Sequence, residues 1–195
     1  MTHEEISLRT KKALCTSLKK QMMHKTFSKI TVSELIRDCN MNRKTFYYHF
    51  QDIYDLLKWM LEQEAFDVVR KFDLMKNEQE VFNFIFDYVE QNAFILNCIY
   101  DSIGRDELKR FFYQDFIGVV ESSVRNAERT MNLILPDEFR RFLCTFYTEG
   151  IAGLLIEMFQ NPERFSREQL IDDMSTMLHH SIPSLITAKG QPMQG

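Results

Sequence analysis

Hydrophobic residues recur along most of this chain at the three- and four-residue spacing of amphipathic helices. Leu14 and Leu18 mark one face of a first predicted helix over about 7–24. The same spacing from Ile53 predicts a helix that continues towards Phe72. No stretch keeps a strict alternation of apolar and polar residues, and glycine and proline are few. The pattern therefore predicts an all-α protein.

The rest of the chain predicts five further helices, which with two short ones near the N-terminus make about nine in total. They are predicted over 78–91, 93–102 and 106–131, from Pro136 to about Gln160, and from Ser166 towards Ile186. Pro183 is expected to kink or end the last helix, and the tail from Ala188 is expected to be frayed. We predict an N-terminal three-helix helix-turn-helix domain over 1–52 and a larger C-terminal helical bundle over 53–195.

Residues 30–50 read ITVSELIRDCNMNRKTFYYHF, which predicts two short helices joined by a tight turn. Thr31 with Glu34 three residues later predicts a capping box for the first of them. Asn40 suits a left-handed turn residue, and Asn42 then caps the second helix. Further helix caps are predicted from the pairs Thr2/Glu5, Asp52/Asp55 and Ser166/Gln169.

The second short helix carries basic, hydroxyl and aromatic side chains. A helix pair of this size is typical of the motif that places its second helix in the major groove of DNA. Basic side chains can reach phosphates or guanine edges, and hydroxyls can bind phosphates. The candidates for DNA contact on this helix are Arg43, Lys44, Thr45, Tyr47, Tyr48 and His49. Thr31 and Ser33 are candidates at the first helix, where free backbone N–H groups and hydroxyls suit a phosphate.

Charge is divided unevenly along the chain. The net charge is −4, yet residues 1–50 alone carry about +6 and the remainder about −10. A basic segment can still bind a polyanion, while an acidic body disfavours indiscriminate binding. The charge pattern therefore supports a nucleic-acid partner for the N-terminal segment.

Residues 8–61 as a whole resemble the N-terminal domain of the TetR family of transcriptional regulators. The stretch ITVSELIRDCNMNRKTFYYHF is similar to that family's pattern ITVxxIAxxAGVSxGTFYxHF. RKTFYYHFQDIYDLL resembles the subgroup that controls dihydroxyacetone kinase operons. The resemblance implies that Arg43, Lys44, Thr45, Tyr47 and His49 contact bases or phosphates and that Thr31 and Ser33 lie near the backbone of double-stranded DNA.

Two positions depart from the family pattern. Asn40 stands where the turn glycine is usual, which costs a little strain. The start of the fourth helix reads Gln51-Asp52-Ile53, where many members have a lysine that touches phosphate. Loss of that contact would weaken non-specific affinity and flatten the salt dependence.

The resemblance also implies a homodimer, because two half-sites about 34–36 Å apart need two recognition helices held at that separation. Gly150 and Gly153 lie three apart in TEGIAGLLIEMF and would let another backbone approach closely. Apolar side chains of the last two helices complete the predicted interface, namely Leu154, Met158, Leu170, Met174 and Met177. The alternative is that these residues form only an intrachain core.

Aromatic residues are frequent in the middle helices, for instance Phe82, Phe112 and Phe116. They predict either an ordinary core or a pocket for a small-molecule effector. A co-regulator protein is a further source of the signal, and it would need no pocket. The expected function is a DNA-binding regulator under such control, with a helical protein–protein adaptor as the alternative.

Other classes of function find little support. The sequence lacks GxSxG, a Gly-rich phosphate loop, HExxH and CxxC, so we expect no enzyme, no cofactor and no metal site. The four cysteines are predicted to be reduced, with redox sensing at Cys39 as an alternative. His179 and His180 are adjacent and so point to different helix faces. No apolar run approaches 18 residues and the N-terminus lacks a signal-peptide core, so a cytoplasmic protein with no membrane partner is expected.

Overall fold

A computed structural model describes residues 2–63 and 78–193. These residues form nine α-helices, which confirms the all-α prediction. The helices are α1 (His3–Met22), α2 (Val32–Asp38), α3 (Arg43–His49), α4 (Ile53–Leu61), α5 (Glu78–Gln91), α6 (Ala93–Ile103), α7 (Arg105–Met131), α8 (Asp137–Gln160) and α9 (Arg167–Lys189). Two 3-10 turns, Phe27–Lys29 and Pro162–Arg164, and two two-residue strands, β1 (Leu133–Ile134) and β2 (Gln191–Pro192), complete the described elements.

The described residues divide into two compact units. The first holds 2–63 together with 92–108, so it contains α1–α4 and α6. Its core is built from apolar side chains that α1–α4 turn inward at helical spacing, including Leu14, Leu35 and Phe46, all with no exposed surface. α6 packs on α1 and on the 3-10 turn Phe27–Lys29 within this unit. The domain boundary after residue 52 stays a prediction.

Side-chain caps begin α1, α2 and α3 where the sequence predicts them. Thr31 and Glu34 form a complete capping box at α2, and Thr2 and Glu5 form one at α1. The side chain of Asn42 accepts the backbone N–H of Thr45 at 2.8 Å. α2 and α3 have only seven residues each, and an isolated helix of that length is not stable in water. Their caps and the packing of their apolar side chains therefore stabilise both helices.

The second unit holds 78–91 and 109–193 and is built mainly from α5, α7, α8 and α9. α5 packs against both α8 and α9. The first residue of α9, Arg167, donates to the Asp87 and Glu90 carboxylates of α5 at 2.7 and 3.3 Å. Its guanidinium also lies 5.7 Å from the centre of the Phe86 ring. The start of α9 is therefore fixed on α5.

A buried ion pair closes the turn between α7 and α8. Glu128 and Arg140 are both buried, and the Arg140 Nη2 atom lies 2.9 Å from a Glu128 oxygen. Glu128 also accepts the backbone N–H of Leu135 at 2.6 Å, and Arg140 donates to the Leu135 carbonyl at 2.9 Å. Both buried charges are therefore paired and hydrogen-bonded, as a stable buried pair requires.

Several sequence predictions of helix ends were wrong. α1 begins at His3, directly after its N-cap Thr2, and not at Ser7. Of the two alternatives for Pro183, a kink or an end of the helix, the end is wrong, because α9 continues through Pro183 to Lys189. The tail is not frayed up to residue 192, because Gln191–Pro192 pairs antiparallel with Leu133–Ile134. The predicted extension of the fourth helix to Phe72 lies outside the described residues.

Within residues 2–63 and 78–193, one helix, α8, is long and apolar enough to cross a membrane by length and composition. More than half of its most apolar stretch is buried within the protein. The core helix of a water-soluble protein meets the same criteria, so this helix is weak evidence for a membrane span.

Candidate nucleic-acid interface

α3 separates a buried anchor from an exposed polar face. Phe46 is completely buried, whereas Arg43, Lys44 and Tyr47 are exposed and 69% of Tyr48 is exposed. The Arg43 guanidinium lies 6.0 Å from the centre of the Tyr47 ring, so the two side chains are neighbours on that face. α3 therefore presents cationic and phenolic donors to solvent from a helix that is anchored by its apolar side.

Thr45 and Ser33 lie at the edge of this face. The half-buried Thr45 donates its hydroxyl to the Asn42 side chain at 3.1 Å. The exposed Ser33 hydroxyl accepts from Arg43 Nη1 at 3.4 Å, which brings the start of α2 beside the start of α3. Asn40 takes the predicted left-handed conformation, with φ 51°, and makes this approach of the two helices possible.

Thr31 is less free than the sequence indicated. Its backbone N–H and its hydroxyl both donate to a Glu34 carboxylate oxygen, at 3.0 and 2.8 Å. The expectation of free groups at this position was therefore wrong for the Thr31 amide and hydroxyl proton. A capping box uses these groups to begin the helix, so a phosphate would have to share them with Glu34.

Two ion pairs hold α2 against α1 and the turn that follows α1, and they neutralise part of the basic segment. Lys25 Nζ lies 2.6 Å from Glu34, and Lys20 Nζ lies 2.5 Å from Asp38. Lys25, together with Thr31, lowers the pKa of Glu34 to about 2. Exposed cations of the first unit outside these two ion pairs include Arg9, Lys12, Lys29, Arg37, Arg43 and Lys44.

His49, the last residue of α3, is half-buried. Its Nδ1 atom lies 3.5 Å from the Ser7 hydroxyl of α1. Burial, with the nearby charges of Lys11 and His3, lowers the pKa of His49 below its usual 6.5. At neutral pH this ring is therefore an uncharged hydrogen-bonding group and not a cation.

Residues of α1 that the sequence did not predict as part of the interface lie against the end of α3. Lys11 Nζ lies 5.8 Å from the centre of the Phe50 ring and 5.3 Å from that of Trp59. The His3 and Tyr48 rings meet edge to face with centroids 6.3 Å apart. The spacing of four residues between His3, Ser7 and Lys11 is the sequence signal for this shared face.

α8 and α9 of the second unit carry an apolar groove of about 370 Å³. Phe146 is among its lining residues, and Phe142 next to it on α8 is exposed as well. A Cβ built on Gly150 or Gly153 would meet no side chain and no backbone beyond the adjacent turns of α8 within 4 Å. Of the predicted interface residues, the groove contains Gly150, Leu154, Met174 and Met177. Met158 and Leu170 are buried within the chain itself and do not line this groove.

The cysteines and histidines form no reactive centre in the parts of the chain that the structure covers. Burial raises the pKa values of Cys39 and Cys98, and that of Cys144 to about 11, which keeps these thiols protonated. His179 and His180 are exposed. Within residues 2–63 and 78–193 there is no group of three His, Cys, Asp or Glu side chains that could hold a metal ion.

Comparisons with known proteins agree with the geometry. Residues 76–180 match a TetR-type family described as "Transcriptional regulator C-terminal region". The chain is 20% identical over 151 residues to the HTH-type dhaKLM operon transcriptional activator DhaS of Lactococcus lactis subsp. lactis (strain IL1403). The aligned region covers 77% of this chain and 80% of that protein. A solved structure of a dihydroxyacetone kinase operon activator DhaS superposes with a TM-score of 0.68 at 18% identity, covering 93% of this chain and 98% of the other, and so shares the fold.

Proposed function

This chain belongs to the TetR family of transcriptional regulators, and we propose that it binds a pseudo-palindromic operator as a homodimer under the control of an effector or a partner protein. It is a DNA-binding transcriptional regulator, and its relatives are regulators and not enzymes. A regulator of this kind acts on the chromosome, so we propose a cytoplasmic location.

One observation carries the assignment of α3 as the DNA reader. The helix buries Phe46 and exposes Arg43, Lys44, Tyr47 and Tyr48. A helix inserted into the major groove needs this arrangement, because the bases meet only the outward side chains. Arg43 and Lys44 would reach guanine edges or phosphates, and the tyrosines would donate hydroxyls from rigid rings.

The ion pairs of the first unit limit how many cations can bind phosphate. Lys20 and Lys25 are held by acidic partners, while Arg9, Lys12 and Lys29 stay exposed. Each phosphate neutralised makes the slope of log K against log salt more negative by about 0.9. We expect DNA binding to fall steeply with salt, with a slope that the exposed cations set and to which Lys20 and Lys25 add little.

The apolar groove on α8 and α9 supports the homodimer. Large exposed apolar patches on a soluble protein usually mark an interface. Phe142 and Phe146 supply apolar area, and the open surface at Gly150 and Gly153 gives room for a second backbone. In the proposed dimer, the α8 and α9 pairs of two copies meet around a two-fold axis.

α6 supports a route from a control signal to the DNA reader. It packs on α1 and on the turn Phe27–Lys29, and Cys98 lies 3.7 Å from the Lys25 carbonyl. The chain then passes into α7 with only Gly104 between the two helices. A signal that favours one position of α6 would favour one placement of α3 in each protomer. Only one spacing of the two α3 helices in a dimer fits the operator, so the signal would control DNA binding.

The test begins with selection of bound sequences from random duplex DNA by the purified protein. Enrichment of a pseudo-palindrome protected over two half-sites supports the proposal. Thr45→Ala with Tyr47→Ala should abolish binding to the selected duplex while circular dichroism stays helical. Thr16→Ala, which removes a threonine hydroxyl from the exposed surface of α1, is the matched control and should bind normally. A folded protein that enriches no motif would instead be a protein–protein adaptor.

A further inference from the structure

Three α1 residues spaced by four meet three consecutive residues at the end of the reader helix. The ring of His3 lies against that of Tyr48, with centroids 6.3 Å apart. The hydroxyl of Ser7 lies 3.5 Å from His49 Nδ1. Lys11 Nζ lies 5.8 Å from the centre of the Phe50 ring. We call His3, Ser7 and Lys11 the α1 ladder.

The spacing explains why these contacts occur together. Residues four apart lie above one another on a helix, so the α1 ladder is one continuous line along α1. α3 has only seven residues and ends where Phe50 takes an extended conformation. A helix this short cannot fix its own last turn, so its neighbours must hold Tyr48 and His49 in position.

Lys11 ties three elements together. Its ammonium group faces the rings of Phe50, just after α3, and Trp59, on α4, and the two rings are 6.0 Å apart. Lys11 is half-buried and Phe50 is buried, so the cation and the rings are partly shielded from water. Cation–π contacts strengthen when they are desolvated. Lys11 therefore holds the end of α3 between α1 and α4.

We propose that the α1 ladder is a specificity device that sets how Tyr48 and His49 face the operator, without touching the bases itself. Its members are positioning residues, and the proposal rests on the proposed role of α3 in reading DNA. Phosphate contacts from cations elsewhere would survive its loss. Damage to the ladder should therefore lower the preference for the operator more than it lowers binding to DNA in general.

The electrostatics around His49 give a second readout. Lys11 and His3 are the groups on α1 whose charges act on it, and Glu4 lines the same surface pocket as these two. The residue that α4 contributes to this pocket with Lys11 is the uncharged Trp59. Loss of the Lys11 charge should raise the pKa of His49 towards its usual value. The pH at which operator binding changes should then move upward.

The experiment compares Lys11→Gln with Arg9→Gln in the full chain. Both variants lose one positive charge from α1, but Arg9 is exposed and lies about 200° around the helix from Lys11. Affinities are measured by fluorescence anisotropy for the selected operator and for a scrambled duplex of the same length, between pH 5 and 8. Trp59 is the only tryptophan, so its emission reports on the Lys11 contact directly.

We expect Lys11→Gln to reduce the operator-to-scrambled ratio by about tenfold, the order of one lost base contact. Its Trp59 emission and its pH profile should shift as well. Arg9→Gln should weaken both duplexes equally and leave emission and pH profile unchanged. Lys11→Arg should restore the ratio, because a guanidinium can also stack on the rings.

Matching ratios, emission spectra and pH profiles in Lys11→Gln and Arg9→Gln would overturn the proposal. If Lys11→Gln does not fold, Ser7→Ala removes only the hydroxyl beside His49 and must still reduce the ratio. A wild-type protein that shows no operator preference would refute the proposed function itself. In that case an unchanged Trp59 emission in Lys11→Gln would refute the ladder separately.

Discussion

The ammonium nitrogen of Lys25 lies 2.6 Å from a carboxylate oxygen of Glu34 and so joins the turn after α1 to the start of α2. Thr31 donates its amide and hydroxyl to the same carboxylate. Hydrogen bonds from Lys25 and Thr31 favour the ionised form and lower the pKa of Glu34 from 4.5 to about 2. The helix-turn-helix is therefore stabilised by a carboxylate that must stay charged.

The first prediction concerns acid stability. An unfolded chain takes up the Glu34 proton near pH 4.5, and the folded chain takes it up only near pH 2. This contribution to the free energy of unfolding is thus complete above pH 4.5 and is lost as the pH falls from 4.5 to 2. Urea unfolding at several pH values should show a smaller loss over this window for Glu34→Gln than for the wild type. Glu138→Gln, which removes an exposed carboxylate, is the control and should lose as much stability over this window as the wild type. If Glu34→Gln also loses as much stability as the wild type between pH 4.5 and 2, then Glu34 is not the stabilising carboxylate.

The second prediction uses two glycines with opposite conformational needs. Gly104 has φ 82° and ψ 168°, a region that is nearly confined to glycine. Gly118 lies inside the helix α7, and a Cβ built on either residue meets no atom within 4 Å. Gly104→Ala should therefore lower the free energy of unfolding by on the order of 1–3 kcal/mol. Gly118→Ala should raise it by about 1 kcal/mol, and chemical denaturation would measure both. If both variants have a lower free energy of unfolding, then packing around the added methyl group, and not backbone conformation, determines the effect.

A third prediction tests the buried ion pair between α7 and α8. Glu128→Gln leaves the Arg140 cation buried beside a neutral amide, so it should cost about 3–5 kcal/mol. Asp137 also accepts from Arg140, at 2.5 Å, but its side chain is 84% exposed. Asp137→Asn should therefore cost about 0–1 kcal/mol. Thermal unfolding of the two variants measures both losses of stability. A comparable loss in both would show that Arg140 depends no more on Glu128 than on Asp137.

The fourth prediction tests the dimer face. A charge at Phe146, which is 57% exposed in the groove, should be excluded from an apolar interface, so Phe146→Glu should yield monomers in sedimentation equilibrium. Phe94 is 56% exposed on α6, in the other unit, and supplies the matched control. Phe94→Glu should keep the oligomeric state of the wild type. If Phe146→Glu still forms dimers at micromolar concentration, the groove is not the dimer interface, and the interface lies elsewhere on the chain.

The parts of the fold that the sequence predicted well depend on neighbouring residues. A cap needs only a side chain and a backbone N–H three residues on, so the caps at Thr2, Thr31, Asn42 and Asp52 were predictable. The left-handed Asn40 was predictable for the same reason. The exposed face of α3 was predictable from the helical spacing of its apolar residues. Phe46 and Phe50 are four residues apart and both are buried, so the tyrosines between them face outward.

The parts that the sequence did not predict depend on residues far apart in the chain. β2 pairs with β1 nearly sixty residues earlier, and no local signal at Gln191 indicates it. Pro183 does not end α9, because Ile182 and Ile186 are buried on either side of it and hold the helix in place. The four-residue spacing of Lys11 from Ser7 places both on one face of α1, but only the packing of the two segments shows that this face meets Phe50.

The pairing of Glu128 with Arg140 also constrains how this protein can evolve. Both side chains bond the backbone of Leu135, so the distance along the chain between the two charges is set by the turn that they enclose. An inserted or deleted residue in this connection would pull one charge off its partner inside the protein. Substitution at one of the two positions should thus be tolerated only with a compensating change at the other, and length variation among relatives is expected in other connections.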